Sequence, residues 1–327
     1  MPPTTLGLDI GGANLKAAHG AGSARSVPFP LWRQPDQLTE ALGRLLAYFP
    51  PFERLAITMT GELCDCYASK RDGVNAILDA VETARGRHPA RVWSNTGRFV
   101  SMQQARDTPH NVASANWLGL ATWAGRFAPS GQALMVDLGT TTTDLLVLRD
   151  GIPQPTGRTD PDRLRTGELV YRGWKRTPLC ALAPAHHAAE FFATMHDVLL
   201  VLRRIPEDNT DRATADGQPA TREAAELRLA RMCCADLDST SRAERQSLAQ
   251  EYLDRFVDEL VSAIQRLGSD AGQVLTSGSG EFLLPTLLHQ AGLGDLPLIS
   301  LADHLGSAAS EAACAHAIAC LLAEEEG

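Results

Sequence analysis

The pattern of apolar and polar positions predicts a β-hairpin in the middle of the chain. Residues 135–148 read MVDLGTTTTDLLVL, in which two runs rich in Leu and Val flank an acid, a glycine and four threonines. The apolar runs favour buried strands, whereas the polar residues between them need hydrogen-bond partners if they are buried. Backbone N–H groups of a turn that begins with glycine can form a nest for an anion. We therefore predict a hairpin whose turn binds phosphate, with an ordinary polar hairpin tip as the alternative.

A second hairpin of the same design is predicted near the N-terminus. Residues 6–18 read LGLDIGGANLKAA, in which Asp9 and Gly11 have the positions that Asp137 and Gly139 have in the central hairpin. Two copies of one phosphate turn indicate a duplicated domain. We expect each hairpin to continue into a three-strand meander, and the two turns to face one another across a cleft.

A third stretch, residues 274–285, reads VLTSGSGEFLLP. It predicts a short apolar strand, a turn of Ser and Gly, and then the start of a helix. The first N–H groups of a helix have no partner within the helix and are available to a ligand. This turn is therefore a third candidate for ligand binding.

These three stretches, in this order, resemble the two phosphate motifs and the adenosine motif of the superfamily of sugar kinases, heat-shock 70 ATPases and actin. The resemblance implies an α/β fold of two ribonuclease-H-like lobes, the actin-like ATPase fold, around a central phosphate-binding cleft. It implies a first lobe of residues 1–112 plus 305–327, which carries the phosphate-one hairpin. The second lobe, residues 113–304, would carry the phosphate-two hairpin, the adenosine-type turn and a helical insertion. A final helix over 306–323 would pack back on the first lobe.

Finer motifs resemble the hydantoinase/oxoprolinase-related group linked to tetrahydromethanopterin one-carbon metabolism. The motifs are DIGGANLK, TMTGELCDCYASKRDGV, DLGTTTTDL, RTGELVYRGWKRTPL, ATMHDVLLVL and TADG. The group includes archaeal condensing enzymes of the methanofuran pathway. The resemblance implies a transferase that joins an aminomethylfuran-methyl diphosphate to the phenol of a tyramine-derived acceptor, releases pyrophosphate, and so makes methanofuran or an analogue.

Two alternatives to the transferase stay open. One is an ATP-dependent small-molecule kinase or a hydantoinase/oxoprolinase-type hydrolase, and the other is a non-catalytic nucleotide-binding protein. The chain contains no G-x-x-x-x-G-K-[ST], H-E-x-x-H or G-x-S-x-G motif. These absences argue against a P-loop NTPase, a zincin metalloprotease and an α/β-hydrolase with a nucleophile elbow. ATP turnover with acceptor present would separate the first alternative from the transferase.

The site residues follow from the three turns. Asp9 and Asp137 are predicted to hold Mg²⁺, the expected cofactor, because a carboxylate beside a phosphate turn needs a cation between them; ATP is an alternative ligand. Asp9, Asp137 and Asp144 are the catalytic candidates, and Asp137 or Asp144 is the predicted base for a phenol of pKa about 10. The predicted phosphate ligands are Gly11, Gly12, Asn14, Lys16, Gly139, Thr140, Thr141 and Thr142. The predicted nucleotide or substrate ligands are Gly278, Ser279, Gly280, Glu281 and Glu62.

Lys16 and Glu62 are selected by their places in the chain. Lys16 follows the first turn and is the only lysine before Lys70, and a lysine binds phosphate as a point charge. Glu62 follows the predicted strand LAITMT, at the carboxyl edge where α/β folds bind ligands.

Three further regions of the chain are interpreted from their charge and periodicity. Six cations between residues 156 and 185 either bind a substrate anion or pair with acids of the same chain: Arg158, Arg163, Arg165, Arg172, Lys175 and Arg176. An amphipathic helix is predicted over 189–204. The polar insertion 207–222 is predicted to be a surface loop, with a lid over the cleft as the alternative.

Composition limits the partners. Of 327 residues, 44% are hydrophobic and 21% charged, as in an ordinary globular protein, and the net charge of −9 argues against nucleic acid or a membrane surface. No apolar run approaches the roughly 20 residues of a membrane helix, and the start lacks a signal-peptide pattern, so a cytoplasmic protein is expected. Seven cysteines without a CxxC pair are expected to be structural thiols. The expected partners are small molecules, and a homodimer stays open.

Overall fold

Two mixed β-sheets form the framework of the computed structural model, which describes residues 4–20 and 22–326. The first sheet contains β1 (Thr5–Ile10), β2 (Asn14–His19), β3 (Ala24–Pro28), β4 (Arg54–Met59), β5 (Ala90–Trp93) and β6 (Phe99–Ser101). The second contains β7 (Gln132–Leu138), β8 (Thr143–Arg149), β9 (Ile152–Pro153), β10 (Leu169–Val170), β11 (Gln273–Ser277) and β12 (Leu298–Ser300). The α-helices are α1 (Leu38–Ala47), α2 (Lys70–Ala84), α3 (Met102–Asp107), α4 (Asn116–Ala124), α5 (Asp160–Thr166), α6 (Met195–Val201), α7 (Arg222–Arg231), α8 (Arg242–Gly268), α9 (Leu284–Gln290), α10 (Leu301–Leu305), α11 (Ser307–Glu311) and α12 (Ala313–Glu325).

The two sheets repeat one topology. The first has the order β3-β2-β1-β4-β5-β6, and the second has the order β10-β8-β7-β11-β12, with β9 also paired to β8. In each, an antiparallel hairpin is extended by two parallel strands, β4 and β5 or β11 and β12. The short strands β9 and β10 pair with opposite ends of β8 and together take the place that β3 has in the first sheet. The predicted duplication is confirmed.

A shared core joins the two lobes. Trp93 of the first sheet, Met135 and Leu146 of the second, Trp117 of α4 and Ile318 of α12 form one buried cluster. The last helix, α12, packs against β1, β2, β4 and α4, as predicted. The lobe boundaries at 112/113 and 304/305 stay a prediction.

The predicted helix over 306–323 is wrong in one respect, because it is two helices. The backbone breaks at Ala312, whose φ of −115° and ψ of 31° are not helical, so α11 ends before α12 begins. Because of this break, a new helix starts at Ala313, and its first turn places Cys314 near Asp9 and Asp137.

The predicted helix over 189–204 is also shorter than expected. The helix α6 begins only after Thr194, which forms a capping box with Asp197. The N–H of Thr194 donates to the Asp197 carboxylate at 2.8 Å, and such a box fixes a helix start. Beyond Leu202 the chain turns at Arg203, whose φ is +57°. The apolar periodicity identified the element, and the caps set its ends.

The helical insertion of the second lobe packs α6, α7 and α8 together. The predicted apolar stripe of α8 is confirmed, since Tyr252, Phe256, Leu260 and Ile264 are fully buried. None of the helices in the described ranges has the length and apolar character that a bilayer crossing requires.

The polar insertion 207–222 is held by ion pairs to α7 and to the segment 172–176. Asp216 accepts from Arg228 at 3.0 Å, and Asp211 pairs with Lys175 at 2.5 Å. These contacts hold the insertion in place, and the choice between a surface loop and a lid over the cleft stays a prediction.

Candidate active site

The register of the two hairpins places four charged side chains at one site. Asp9 of β1 lies directly opposite Lys16 of β2, and Asp137 of β7 lies directly opposite Asp144 of β8. Residues opposite one another in an antiparallel pair have their Cβ atoms about 5 Å apart on one face. The Lys16 ammonium lowers the pKa of both Asp9 and Asp137, against the stronger raising effect of burial. The two hairpins are therefore close enough together for Lys16 to act on the carboxylates of both.

The two turns have the same construction. The N–H of Gly11 donates to the carbonyl of Asn14 at 3.0 Å, and the N–H of Gly139 donates to the carbonyl of Thr142 at 2.9 Å. The first glycines therefore shape the turns instead of offering their own N–H groups. Within residues 4–20 and 22–326, the N–H groups in the middle of the turns donate to no protein acceptor; they are those of Gly12, Ala13, Thr140 and Thr141. These groups are available to an anion.

A neighbouring segment fixes the phosphate-two turn before any ligand binds. The N–H of Trp174 donates to the carbonyl of Gly139 at 3.2 Å, and the N–H of Arg176 donates to that of Thr140 at 2.8 Å. Gly173 allows this approach, because a Cβ there would lie 2.3 Å from the Thr141 nitrogen. The RGWKR motif thus preorganises the turn, a role that the sequence did not reveal.

The carboxylates of the cleft fit a hard cation. Asp9 is 5% exposed, and its Oδ1 has no partner in the described part of the chain. Burial, and then the neighbouring Asp144 carboxylate, raise the pKa of Asp137 to about 7, although Lys16 and a hydrogen bond from Ser277 oppose this. A buried carboxylate oxygen without a partner is costly, and a cation between the two aspartates would satisfy it.

Two carboxylates beside a phosphate site are compatible with Mg²⁺, the predicted cofactor. No group of three or more His, Cys, Asp or Glu side chains in the described ranges could form a complete metal cage. Mg²⁺ is usually held by one or two carboxylates together with substrate phosphates and water. Asp9 and Asp137 would supply the carboxylates, and a phosphate ligand held by the two turns would complete the coordination.

Asp144 is engaged by an arginine. Arg163 is 1% exposed and donates from Nη2 to Asp144 Oδ1 at 2.7 Å, while its guanidinium lies 4.0 Å from the centroid of the Trp117 ring. Burial raises the pKa of Asp144, and Arg163 opposes that effect. Of the two predicted base candidates, Asp144 therefore has its carboxylate committed to an ion pair.

The other cations of the region 156–185 are also largely engaged. Arg165, Arg172 and Lys175 form ion pairs with Asp162, Glu259 and Asp211, and Arg158 donates to the carbonyl of Asn95. Arg176 is exposed, lies 5.7 Å from the Trp32 ring centroid, and has no carboxylate partner in the described chain. Four of the six cations therefore pair with acids of the same chain, which is the second of the two alternatives predicted for this region.

The adenosine-type turn packs against the end of β7. Gly278 has a φ of +95°, and a Cβ there would lie 2.3 Å from the Leu138 carbonyl oxygen and 2.5 Å from Asp137 Oδ1, so only glycine fits. Ser279 Oγ accepts from the indole N–H of Trp174 at 2.9 Å. The turn is thus brought beside the phosphate-two site.

The remaining members of this turn join the same site. The N–H of Gly280 donates to the carbonyl oxygen of Leu138 at 2.8 Å. Glu281 accepts from the hydroxyl of Thr276, and its charge contributes to the raised pKa of Asp137.

Cys314 is a cleft residue that the sequence did not identify. It lies in the first turn of α12, and Asn116 donates to its Sγ at 3.6 Å. Burial, and then the Asp9 and Asp137 carboxylates, raise the pKa of its thiol well above the usual value. The thiol is therefore neutral at physiological pH. Cys314 comes near the hairpins only through the packing of distant segments, and the residues around it in the sequence form no motif that would indicate a site.

Replacement of Lys16 by Met is expected to weaken diphosphate binding about tenfold or more, because a charge-assisted contact to phosphate is lost. Calorimetry at matched salt would measure this. Arg255→Met is the control, since Arg255 is an exposed cation on α8 that pairs with Glu251. Parent-like affinity in Lys16→Met would remove Lys16 from the site.

The protein without Mg²⁺ and ligand is expected to lose stability as pH rises from about 4 to 7. The pKa of Asp137 is raised from 3.8 to about 7 in the folded protein, so its contribution is present at low pH and is lost as pH rises through that value, on the order of 1 kcal/mol per pH unit. Thermal unfolding in a chelator should show a shallower dependence for Asp137→Asn. The control Asp258→Asn, exposed on α8, should keep the parental slope. Equal slopes in all three would contradict the raised pKa.

Comparison with known proteins places these features in a family. A family model described as Hydantoinase/oxoprolinase matches residues 54–323. The chain is 30% identical over 333 residues to the (4-{4-[2-(gamma-L-glutamylamino)ethyl]phenoxymethyl}furan-2-yl)methanamine synthase of Methanocaldococcus jannaschii, with 98% of each sequence covered. A synthase of the same name from Methanococcus vannielii is 30% identical over 205 residues, which are 59% of this chain and 92% of that one.

Among solved structures, the nucleotide-free structure of acetone carboxylase, from work on ATP-dependent acetone carboxylation, aligns with a TM-score of 0.54 and 11% identity. The alignment covers 98% of this chain and 70% of that one. Such a likeness bears on the fold alone. Together with the repeated sheet topology, it agrees with the two-lobed, actin-like ATPase fold predicted from the sequence.

Proposed function

We propose that this chain, which belongs to the hydantoinase/oxoprolinase family, is a transferase that condenses an aminomethylfuran-methyl diphosphate with the phenol of a tyramine derivative. The name of the synthases it resembles describes a product in which a phenoxymethyl ether joins a furan to a γ-glutamylated tyramine. Formation of that ether requires a furan-methyl carbon with a leaving group and a phenol oxygen. The proposed pathway is the synthesis of methanofuran or an analogue.

The observation that carries the proposal is the pairing of the two hairpins. Each presents a carboxylate, Asp9 or Asp137, beside a turn with free N–H groups, and Lys16 is close enough to lower the pKa of both carboxyls. Two phosphate turns on opposite walls of one cleft suit a ligand with two linked phosphates. A diphosphate has that form, and it is the leaving group that the reaction needs.

The residues of the cleft would act chiefly on the leaving group. The N–H groups of the turns and the Lys16 ammonium would bind the diphosphate oxygens and stabilise the negative charge that develops as the carbon–oxygen bond breaks. Asp9 and Asp137 would hold Mg²⁺, which when bound neutralises part of the same charge. The fixed turns would also orient the methylene carbon towards the acceptor.

The test is a reaction of the purified protein with the furan-methyl diphosphate, γ-glutamyltyramine and Mg²⁺, without ATP. Mass spectrometry should detect the ether, and pyrophosphate should form in equal amount. Both should disappear when either substrate is omitted. Ether formation only when ATP is added, or no ether at all, would overturn the proposal.

One observation favours an ATP-dependent kinase or hydrolase as the second candidate. The turn 278–281 lies beside the phosphate-two site, and next to it are Trp174 and the exposed Phe282, whose rings are 5.7 Å apart. An aromatic surface beside a phosphate site could accept a nucleotide base. Acceptor-dependent release of ADP would support this candidate and count against the transferase.

A further inference from the structure

Glu62 is a fully buried acid with an unused oxygen. It is 0% exposed, and its Oε1 accepts from the Ser114 hydroxyl at 2.8 Å. Its Oε2 is buried and has no partner in the described part of the chain. Buried polar atoms are nearly always hydrogen-bonded, so an exception calls for an explanation such as a ligand. The unpaired oxygen therefore lacks a donor, and a bound ligand is one group that could supply it.

The surroundings of Glu62 are built to hold its carboxylate in place. Ser114 has a φ of +48°, a strained value for a residue with a side chain, and its hydroxyl is directed at Glu62. The Lys70 ammonium, at the start of α2, lies 3.9 Å from Oε1. Gly73 lets α2 approach, because a Cβ there would lie 2.0 Å from the Glu62 carbonyl oxygen. Oε1 is thus anchored, and Oε2 is left free.

Glu62 lies next to the phosphate-one turn. The preceding residue, Gly61, donates its N–H to the carbonyl of Ile10 at 3.0 Å, and a Cβ on Gly61 would lie 3.1 Å from the Gly11 carbonyl carbon. The Cys64 sulfur packs against Gly12, 2.8 Å from where a Cβ would lie. A donor bound to Oε2 would therefore be close to a diphosphate in that turn.

We propose that Glu62 is the base that accepts the phenol proton of the acceptor. This inference rests on the proposed transferase function and gives to Glu62 the role that the sequence assigned to Asp137 or Asp144. In the step, the phenol O–H proton passes to Glu62 Oε2, and the phenol oxygen forms a bond to the methylene carbon. The bond from that carbon to the diphosphate oxygen breaks, and its electron pair leaves with pyrophosphate. Water later removes the proton from Glu62.

The charges around Glu62 suit this role. Burial raises the pKa of Glu62, while the Ser114 hydrogen bond and the Lys70 ammonium oppose the rise and Asp160 of the second lobe adds to it. Burial raises the pKa of the nearby Cys64 thiol to about 11, so that this thiol is neutral. A carboxylate with a raised pKa is a better match to a phenol, because a general base is most effective when its pKa is near the working pH.

The alternative is that Glu62 only anchors Ser114 and Lys70, and a series of acceptor phenols separates the two roles. Glu62→Gln is expected to lose about 10²-fold or more in kcat with the parent phenol. The loss should shrink with fluorinated acceptors of lower pKa, because a phenol that is already ionised needs no base. Glu62→Asp, which keeps a carboxylate, should lose less, and Glu40→Gln, exposed on α1 and paired with Arg44, is the matched control.

The outcomes distinguish this inference from the function on which it rests. If the parent protein forms no ether with any phenol, the proposed function fails. If the parent is active but both Glu62 variants lose the same factor with every phenol, or lose nothing, Glu62 is not the base. Thermal unfolding of each variant gives the fraction folded, and rates are corrected for it. The Asp variant decides the matter if the Gln variant does not fold.

Discussion

Replacement of Asp137 by Asn is expected to lower the Mg²⁺-dependent release of pyrophosphate by about 10²-fold or more, on the order of 3 kcal/mol. The carboxylate lies beside a turn that is predicted to bind phosphate, and a carboxylate next to a phosphate is favourable only with a cation between them. Asparagine keeps the shape but removes the charge, so the fold should remain intact while ligand binding and turnover weaken together. Steady-state rates of pyrophosphate release, and separately of ADP release, across a Mg²⁺ series would measure the effect.

Asp9→Asn should behave similarly, because Asp9 is the matching residue of the other hairpin. The double variant should lose less than the sum of the single losses, since both side chains would act on one ion. Parent-like activity and Mg²⁺ dependence in Asp137→Asn would leave the phosphate-two hairpin with a structural role only.

Replacement of Arg228 by Met is expected to destabilise the protein by about 3–5 kcal/mol, because it leaves the Asp197 charge buried without its partner. Both side chains are fully buried; Arg228 donates from Nε to Asp197 at 2.8 Å and from Nη1 to Asp216 at 3.0 Å. This pair joins α6 to α7 and ties the insertion 207–222 to them. Urea unfolding would measure the loss.

The loss in Arg228→Met should grow as pH rises. Burial raises the pKa of Asp197 and Arg228 opposes that rise, so without Arg228 the carboxyl is pushed further towards its neutral form. A group with a raised folded pKa loses its contribution to stability as pH rises through that pKa. Arg255→Met removes an exposed pair with Glu251 on α8 and should cost less than about 1 kcal/mol. Equal losses in the two variants would show that burial of the pair does not matter.

The parts of the fold predicted from the sequence are those set by local pattern. Asp9 and Asp137 are predicted as matching residues because strand, acid, glycine turn and strand follow one another in both hairpins, and register then fixes which side chains are opposite. The α8 stripe was found because its four buried residues recur at helical spacing. Two helix bounds were predicted wrongly because apolar periodicity does not show where a helix begins or breaks. The capping box at Thr194 starts α6, and the non-helical backbone of Ala312 separates α11 from α12.

The parts of the site that the sequence did not yield depend on contacts between distant segments. Arg163 was one of six candidate cations, and nothing near it in the chain indicated that it would hold Asp144. Cys314 lies near the two aspartates because of the way α12 packs. Ser114 contacts Glu62 because of the bend before α4. A serine with a positive φ has no sequence signature, so the unpaired oxygen of Glu62 could not be anticipated.

The measurement that tests the central claim most directly follows an ¹⁸O label in the oxygen that bridges the furan-methyl carbon and the diphosphate. Attack of the phenol at carbon breaks the carbon–oxygen bond, so we predict that all of the label appears in pyrophosphate and none in a furan product. Attack at phosphorus, the reaction of a kinase, would leave the label in furan-methanol and would contradict the assignment of this cleft to alkyl transfer.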